Sequence, residues 1–239
     1  MTDIELIKKY MPKVKQKRAI KKLNNGYPVQ YIIGNVDFFN SIIKVNPNVL
    51  IPRFETEYLV EKTIKYLNKL NIKKPKVLEI GTGSGCISIA LRKKIEADIT
   101  AIDISSKAIK LAKDNARLNN VNIFFIKKSI ENITLKGKYD LIISNPPYVA
   151  IGDSVDEKTK FEPQNAIFAK EEGLYFYKQI LNKVKNNLSN NYLIAFEIGK
   201  NESKKIEQVA KEDNILGFYK VEKDYNNLER YFFISKQKI

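Results

Sequence analysis

From residue 76 onward, short apolar runs alternate with segments in which apolar residues recur every three or four positions. The runs predict buried strands at 77–80, 99–102, 122–126, 140–144 and 192–197, and the segments predict helices at 85–92, 107–118, 174–188 and 202–211. This alternation is typical of a parallel sheet covered by helices on both faces. Two closing strands, 217–221 and 231–235, flank a turn at 226–227 and predict an antiparallel pair.

The pattern before residue 76 differs from that of the main sheet. Residues 1 to about 25 carry apolar positions at helical spacing among lysines and end at Asn24-Asn25-Gly26, which favours a helix stop. The segment 28–34 leads into a predicted hairpin around Asn40-Ser41, and Thr56 is predicted to cap the helix that follows. We therefore predict an N-terminal helical appendage at 1–26, a β-hairpin linker region at 27–56 and a main domain at 57–239.

The composition excludes several kinds of chemistry. The chain has 239 residues, 44% of them hydrophobic, no histidine and one cysteine. Serine–histidine and cysteine–histidine catalysis are therefore excluded, and no metal site is predicted. No apolar run is long enough to cross a bilayer and no secretory signal is visible, so we expect a cytoplasmic protein. The net charge of +15 is compatible with nucleic acid or a ribosome-associated partner, but the lysines are scattered and the charge carries little weight.

A glycine-rich segment, Glu79-Ile80-Gly81-Thr82-Gly83-Ser84-Gly85, joins a predicted strand to a predicted helix. Glycines let the backbone turn tightly and approach a ligand closely. Asp103 follows Gly81 by 22 positions, at the end of the next strand, where an acid can bind ribose hydroxyls. Glu79 is placed to face a cationic amino group. Two carboxylates favour a nucleoside that bears an amino acid, such as S-adenosylmethionine, over a dinucleotide, and Cys86 stands where G-x-G-x-x-G requires its last glycine.

A second motif, Asn145-Pro146-Pro147-Tyr148, ends a predicted buried strand. Ligands of open α/β sheets bind at the carboxyl ends of strands. An amide oxygen, a proline carbonyl and an aromatic face together suit a planar NH2 group. The tetrapeptide alone favours a plain proline turn, and the glycine-rich segment with its two carboxylates favours a site.

Four segments resemble, in order, those of the class I S-adenosylmethionine-dependent methyltransferases, and within them the release factor glutamine methyltransferases of the HemK/PrmC type. They are Pro28-Val29-Gln30-Tyr31 with Gly34, Leu50-Ile51-Pro52-Arg53 through Glu57, the loop 81–85, and the motif 145–148. The first two are the specific ones, because the other two also describe many adenine-amine methyltransferases. A weaker similarity follows in Phe161-Glu162-Pro163 with Gly173-Leu174, and in Glu197-Ile198-Gly199.

The resemblance covers the chain from Tyr27 onward and implies a Rossmann-like class I methyltransferase fold of the α/β class. The expected sheet has seven strands and is mostly parallel, with an antiparallel C-terminal strand, and the helical appendage and hairpin precede it. The N-terminal helical region is shorter than is usual in the family, which implies a reduced part in gripping a protein substrate.

The implied reaction is methyl transfer from S-adenosylmethionine to the side-chain amide nitrogen N5 of a glutamine in a peptide chain release factor. Asn145 and Pro146 would accept hydrogen bonds from that amide, Pro147 would stiffen the loop, and Tyr148 would stack on the amide plane. Arg53 either orders the active-site loop through a carboxylate or forms an ordinary surface ion pair. The implied cofactor contacts are Glu79, Gly81, Thr82, Gly83, Ser84, Gly85, Asp103, Asn145 and Ile130, the last beside Ser129 where the family commonly has an Asp followed by an aromatic residue.

Two other functions remain open on the sequence. Methylation of the exocyclic amine of adenine or cytosine in DNA or RNA poses the same planar NH2 problem. No target-recognition domain or concentrated basic aromatic stretch is present, so we expect release factors as partners, possible proximity to the ribosome, and no stable binding of nucleic acid. A binding module without catalysis, such as an assembly factor on ribosomal RNA, is the second alternative, and the presence of Glu79, Asp103 and Asn145 speaks against it.

Overall fold

Three helices and a hairpin precede the main sheet in the computed structural model, which describes residues 2–239. The elements are α1 (Asp3–Tyr10), α2 (Lys13–Asn24), α3 (Val29–Ile33), β1 (Asn35–Phe38) and β2 (Ser41–Lys44). Pro12 separates the first two helices because it lies at the N-cap of α2. Ile7, Ala19 and Val29 pack together, so the segment 29–33 joins the N-terminal helices as a third helix. The division of the chain at residues 26 and 56 stays a prediction.

The main sheet has seven strands, as predicted. They are β3 (Lys76–Ile80), β4 (Asp98–Asp103), β5 (Phe124–Lys127), β6 (Tyr139–Ser144), β9 (Leu188–Glu197), β10 (Phe218–Lys223) and β11 (Glu229–Ser235). Their order is β10-β11-β9-β6-β3-β4-β5, and β11 runs antiparallel to both of its neighbours. The sheet is therefore mostly parallel with an antiparallel C-terminal strand, which confirms the predicted fold class.

Helices cover both faces of this sheet. They are α4 (Phe54–Lys69), α5 (Cys86–Lys94), α6 (Ser106–Leu118), α7 (Tyr175–Val184) and α8 (Ser203–Glu212). Val77 and Leu141 pack with residues of α4, α5 and α6, whereas Leu78 and Ile142 pack with residues of α7 and α8. Strands buried on both faces are apolar at successive positions, which explains the continuous runs in the sequence.

Three local expectations are corrected by the structure. The predicted helix 174–188 ends as an α-helix at Val184, and a 3-10 turn leads into β9. The segment 151–172 is rich in polar residues, which predicts a loop, but it contains β8 (Phe168–Ala169), which pairs with β7 (Val149–Ala150). Thr56 does not cap α4, because the helix begins at Phe54 with Arg53 at its N-cap. The Thr56 side chain instead points into the protein and is buried.

The central strand β3 lies between β4 and β6 in parallel register. Ile80 pairs with Ile102 on one side and with Ser144 on the other. The next residues of the three strands, Gly81, Asp103 and Asn145, therefore lie along one edge of the sheet. No helix able to span a bilayer occurs among residues 2–239.

A buried asparagine of α6 ties the hairpin to the glycine-rich loop. The Asn115 side chain accepts a hydrogen bond from the Lys44 N–H (2.8 Å) and donates to the carbonyl oxygens of Lys44 and Ser84 (both 2.9 Å). Asn115 is fully buried, so the loss of its amide would leave three backbone groups without these partners.

We expect Asn115→Ala to lower the free energy of unfolding by about 2–4 kcal/mol, measured by urea denaturation. Asn119→Ala is the matched control, because Asn119 lies one turn further along α6 and bonds to the hairpin only through the Ile42 carbonyl. The control should lose less than about 1 kcal/mol. Equal losses in the two variants would contradict the anchoring role of Asn115.

Candidate active site

A cavity of about 280 Å³ opens at the edge of the sheet where β3, β4 and β6 end. Most of the residues singled out in the sequence line it. Those residues are Arg53, Gly81, Thr82, Gly83, Ser84, Asp103, Ile130, Asn145, Pro146 and Pro147. Glu79, Gly85 and Tyr148 are not among the lining residues.

The glycine-rich loop turns sharply between β3 and α5. The N–H groups of Gly81 and Thr82 donate to the Ile102 carbonyl (2.9 and 3.0 Å), which holds the loop against β4. Gly81 and Gly83 have positive φ angles, and a Cβ atom on either would meet nothing within 4 Å. Both glycines line the cavity and leave open space where a Cβ atom would stand.

Gly85 has a different reason to be glycine. A Cβ atom there would lie 3.1 Å from the Cβ of Ala112 on α6. Gly85 therefore permits close packing of α6 against the start of α5, and its expected contact with a cofactor finds no support in this placement.

Asp103 closes one side of the loop at the end of β4. Its Oδ2 accepts from the Gly83 N–H and its Oδ1 from the Ser105 N–H, both at 2.8 Å. Burial raises the pKa of Asp103, and these backbone hydrogen bonds oppose the rise. Each oxygen retains a free lone pair that can accept from a hydroxyl group in the cavity.

Glu79 lies beneath the loop and is fully buried. Its Oε2 accepts from the Thr82 hydroxyl (2.7 Å) and from the Ser88 hydroxyl, while Oε1 is buried without a hydrogen-bond partner. Burial raises the pKa of Glu79 to about 7. The direct exposure to a ligand expected from the sequence is not found, because the Glu79 side chain is fully buried and bonded to Thr82 and Ser88.

The Asn-Pro-Pro-Tyr motif divides between the cavity and the core. Asn145 donates from Nδ2 to the Thr56 hydroxyl oxygen (3.1 Å). Tyr148 packs against the core beside α7 and donates to Oε1 of Glu197 (3.3 Å), and burial raises its pKa. The structure does not place Tyr148 as the expected stacking wall, because its partly buried ring packs against the core and does not line the cavity.

Arg53 forms an ion pair with Glu162 at 2.5 Å. The other oxygen of Glu162 accepts from the Ile51 N–H at 2.9 Å, and the Glu162 side chain is 1% exposed. An ordinary surface ion pair has two solvated partners, so this buried carboxylate matches the other alternative, a contact that orders the loop. It joins the cavity wall at Arg53 to the segment that follows β7.

Several residues near the cavity were not identified as site residues from the sequence. Thr56, Ser88, Glu131, Glu162 and Glu197 all accept or donate hydrogen bonds around it. Glu131 lines the cavity next to Ile130 and accepts from the Tyr175 hydroxyl (2.8 Å). Glu162 and Glu197 lie in the segments of weaker family similarity, which was the available signal for them.

Comparison with known proteins gives consistent matches. The family described as Methyltransferase small domain matches residues 56–169. A release factor glutamine methyltransferase of Fusobacterium nucleatum is 39% identical over 87% of this chain and 60% of its own length. A protein of the same name from Thermodesulfovibrio yellowstonii is 36% identical over 93% of this chain and 81% of its own length. The chain thus spans about 60% of the first relative and 66% of another from Flavobacterium psychrophilum.

Solved structures share the fold at low identity. A methyltransferase from Pyrococcus furiosus is 20% identical with a TM-score of 0.58, covering 94% of this chain and 99% of that one. A release factor-specific protein-(glutamine-N5) methyltransferase from Alicyclobacillus acidocaldarius is 22% identical with a TM-score of 0.50, covering 82% and 99%.

The seven-stranded sheet with the glycine-rich cavity at its edge is the fold of the class I methyltransferases. The similarity to the Thermodesulfovibrio relative extends along most of both chains, which identifies one family within this class. The chain belongs to the release factor glutamine methyltransferase family, which confirms the resemblance found in the sequence.

We expect the pH dependence of stability to reflect three buried carboxyl groups. Burial raises the pKa of Glu79, Glu197 and Glu202 to about 7 each, from an ordinary value of 4.5. Between these values the folded state binds more protons than the unfolded state, so the free energy of unfolding should fall as the pH rises from 5 to 7. Each group contributes up to about 1.4 kcal/mol per pH unit.

Urea denaturation at several pH values measures this slope. Glu79→Gln should reduce the slope by about one group's contribution, because glutamine does not titrate. Glu61→Gln, an exposed substitution on α4, is the control and should leave the slope unchanged. A Glu79→Gln slope equal to that of the wild type would contradict the burial effect.

Proposed function

We propose that this chain transfers a methyl group from S-adenosylmethionine to the side-chain amide nitrogen N5 of a glutamine in a peptide chain release factor. One observation carries the proposal: Asn145 and Pro146 line the same cavity as the glycine-rich loop. The chain also belongs to this family. The curated relatives are themselves named release factor glutamine methyltransferases.

The residues of the cavity fit S-adenosylmethionine, which supplies an electrophilic methyl group on a sulfonium sulfur when bound. Gly81 and Gly83 leave space that a Cβ atom would fill, and Asp103 has lone pairs for ribose hydroxyls. Glu79 lies behind the loop with one oxygen that has no hydrogen-bond partner, so it is the buried acid nearest to a cationic group bound at the loop. Ile130 is an apolar wall suited to the base.

The methyl acceptor is a weak nucleophile, because the lone pair of an amide nitrogen is delocalised into its carbonyl. In this proposal, the two N–H groups of the substrate amide donate hydrogen bonds to the Asn145 side-chain oxygen and the Pro146 carbonyl oxygen. Two acceptors in fixed positions would hold the nitrogen in line with the methyl carbon. They would also stabilise the positive charge that develops on nitrogen. The methylated nitrogen becomes strongly acidic and gives up one proton to solvent, which leaves the neutral N-methyl amide. This chemistry needs no strong base, which is consistent with a chain that has no histidine.

The proposed partner is the release factor that carries the glutamine. We place their encounter in the cytoplasm, near the ribosome. Stable binding of nucleic acid is not part of the proposal, because the lysines are scattered rather than gathered beside an aromatic stretch. The relatives' names favour a glutamine acceptor over the exocyclic amine of a nucleobase, the alternative that the sequence left open.

Methyl transfer can be measured by mass spectrometry of unmethylated release factor after incubation with the enzyme and labelled S-adenosylmethionine. We expect one added methyl group on a glutamine, and none on bulk DNA or RNA treated in parallel. Asn145→Ala should lower kcat by about 100-fold or more while changing cofactor Kd by less than about threefold. Label in nucleic acid and none in release factor would overturn the proposal, and normal turnover by Asn145→Ala would remove the role of Asn145.

We expect Gly83→Ala to weaken S-adenosylmethionine binding by about tenfold or more, because its Cβ atom would occupy the cavity side of the loop. Gly34→Ala is the matched control, since Gly34 also has a positive φ and open space around a Cβ atom but does not line the cavity. Both substitutions strain the backbone by about 1 kcal/mol. Isothermal titration calorimetry measures Kd, and wild-type affinity in Gly83→Ala would contradict the assignment of the loop.

A further inference from the structure

A chain of hydrogen bonds runs behind Asn145 into the core. Asn145 Nδ2 lies 3.1 Å from the Thr56 hydroxyl oxygen, and the Thr56 hydroxyl donates to Glu197 Oε2 at 2.7 Å. Tyr148 donates to the other oxygen of Glu197. Three separate elements of the fold, α4, the end of β6 and the end of β9, therefore meet at one asparagine side chain.

The register of the sheet brings these groups together. Ser144 of β6 pairs with Phe196 of β9, so Asn145 and Glu197 are the next residues on adjacent parallel strands. Thr56 lies in the first turn of α4 and reaches both of them. Thr56 is 3% exposed and Glu197 2% exposed, so the hydroxyl and the carboxylate depend on each other for hydrogen bonding.

The chemistry of the three groups fixes the direction of the hydrogen bonds. Burial raises the pKa of Glu197 to about 7, so above that pH the carboxylate is ionised and only accepts. The Thr56 hydroxyl must then give its single proton to Glu197. The Thr56 oxygen can then only accept from Asn145, and the group that donates is the NH2 of the asparagine. The Asn145 carbonyl oxygen is left free at the cavity that this residue lines.

We propose that Thr56 and Glu197 are positioning residues that set the orientation of the Asn145 amide, so that its oxygen and not its NH2 group faces the methyl acceptor. The inference rests on the proposed function, in which that oxygen accepts from the substrate amide. A reversed Asn145 would present donors to the donors of the substrate. The oxygen and the NH2 group of the Asn145 amide are nearly the same size. Their exchange would abolish the productive hydrogen bonds without changing the shape of the cavity.

Thr56→Val tests the hydrogen-bond chain from Asn145 through Thr56 to Glu197, because it keeps the size of the side chain and removes the hydroxyl. We expect kcat for release factor methylation to fall by about 30-fold, with cofactor Kd within about threefold of the wild type. Thr56→Ser restores the hydroxyl and should recover kcat to within about threefold. Thr63→Val is the matched control, because Thr63 is buried on the same helix with a hydroxyl that has no hydrogen-bond partner, and it should keep wild-type kcat.

A second variant and a spectrum make the test independent of turnover. Glu197→Gln can donate to Thr56, which lets the Thr56 hydroxyl donate to Asn145 and reverses the amide. In ¹⁵N spectra of asparagine side chains, the Asn145 resonance is assigned by its loss in Asn145→Ala. It should move in Thr56→Val and Glu197→Gln, and it should stay in place in Thr63→Val.

The outcomes separate this inference from the proposed function. If the wild type does not methylate release factor, the proposed function fails, while the resonance shift still decides whether Thr56 and Glu197 hold Asn145. If the wild type methylates and Thr56→Val keeps wild-type kcat, the positioning role is overturned. A loss of kcat that Thr56→Ser does not recover, or an unmoved Asn145 resonance, would overturn it equally.

Discussion

The parallel pairing of β3 between β4 and β6 is the constraint on which the site depends. Gly81, Asp103 and Asn145 follow residues that pair directly with one another, so the backbone ladder sets their spacing. The Ser144 hydroxyl donates to the Ile80 carbonyl at 2.7 Å and reinforces this register at the edge itself. Because a slip of one residue turns side chains to the opposite face, the buried core and the site are specified together.

Three buried carboxyl groups lie behind residues that line the cavity or shape its loop. Glu79 lies under the glycine-rich loop, Glu162 behind Arg53, and Glu197 behind Asn145, and each is buried. A buried carboxylate is costly unless it is hydrogen-bonded, so each one holds its hydroxyl, guanidinium or N–H partners in a fixed arrangement. The lining groups are thereby oriented before any ligand arrives, which is the condition for electrostatic stabilisation in a rigid site.

The sequence predicted the parts of this site that depend on local pattern and missed those that depend on distant pairing. Strand ends, residues 81–84 and Asp103 follow from apolar runs and spacing, and the structure places them together at one edge of the sheet. Local pattern predicts Thr56 as a helix cap. Its actual partner, Glu197, lies 141 positions further along the chain, where no local pattern can indicate it. Tyr148 was expected in the cavity because an aromatic residue after two prolines gives no information on the direction of its ring.

The segments that distinguish this family from adenine-amine methyltransferases build one wall of the cavity. Leu50, Pro52, Arg53 and Thr56 of the second segment line it. The Tyr31 hydroxyl of the first segment holds this wall by donating to the Val49 carbonyl at 2.6 Å. Tyr27 packs edge-on against Phe161, next to the Glu162 carboxylate that binds Ile51 and Arg53. Asn145 and Pro146 suit any planar NH2 group, so a choice between an amide and a nucleobase requires contacts beyond them. Because this wall is where the distinguishing residues meet the cavity, it is the part of the fold suited to make that choice.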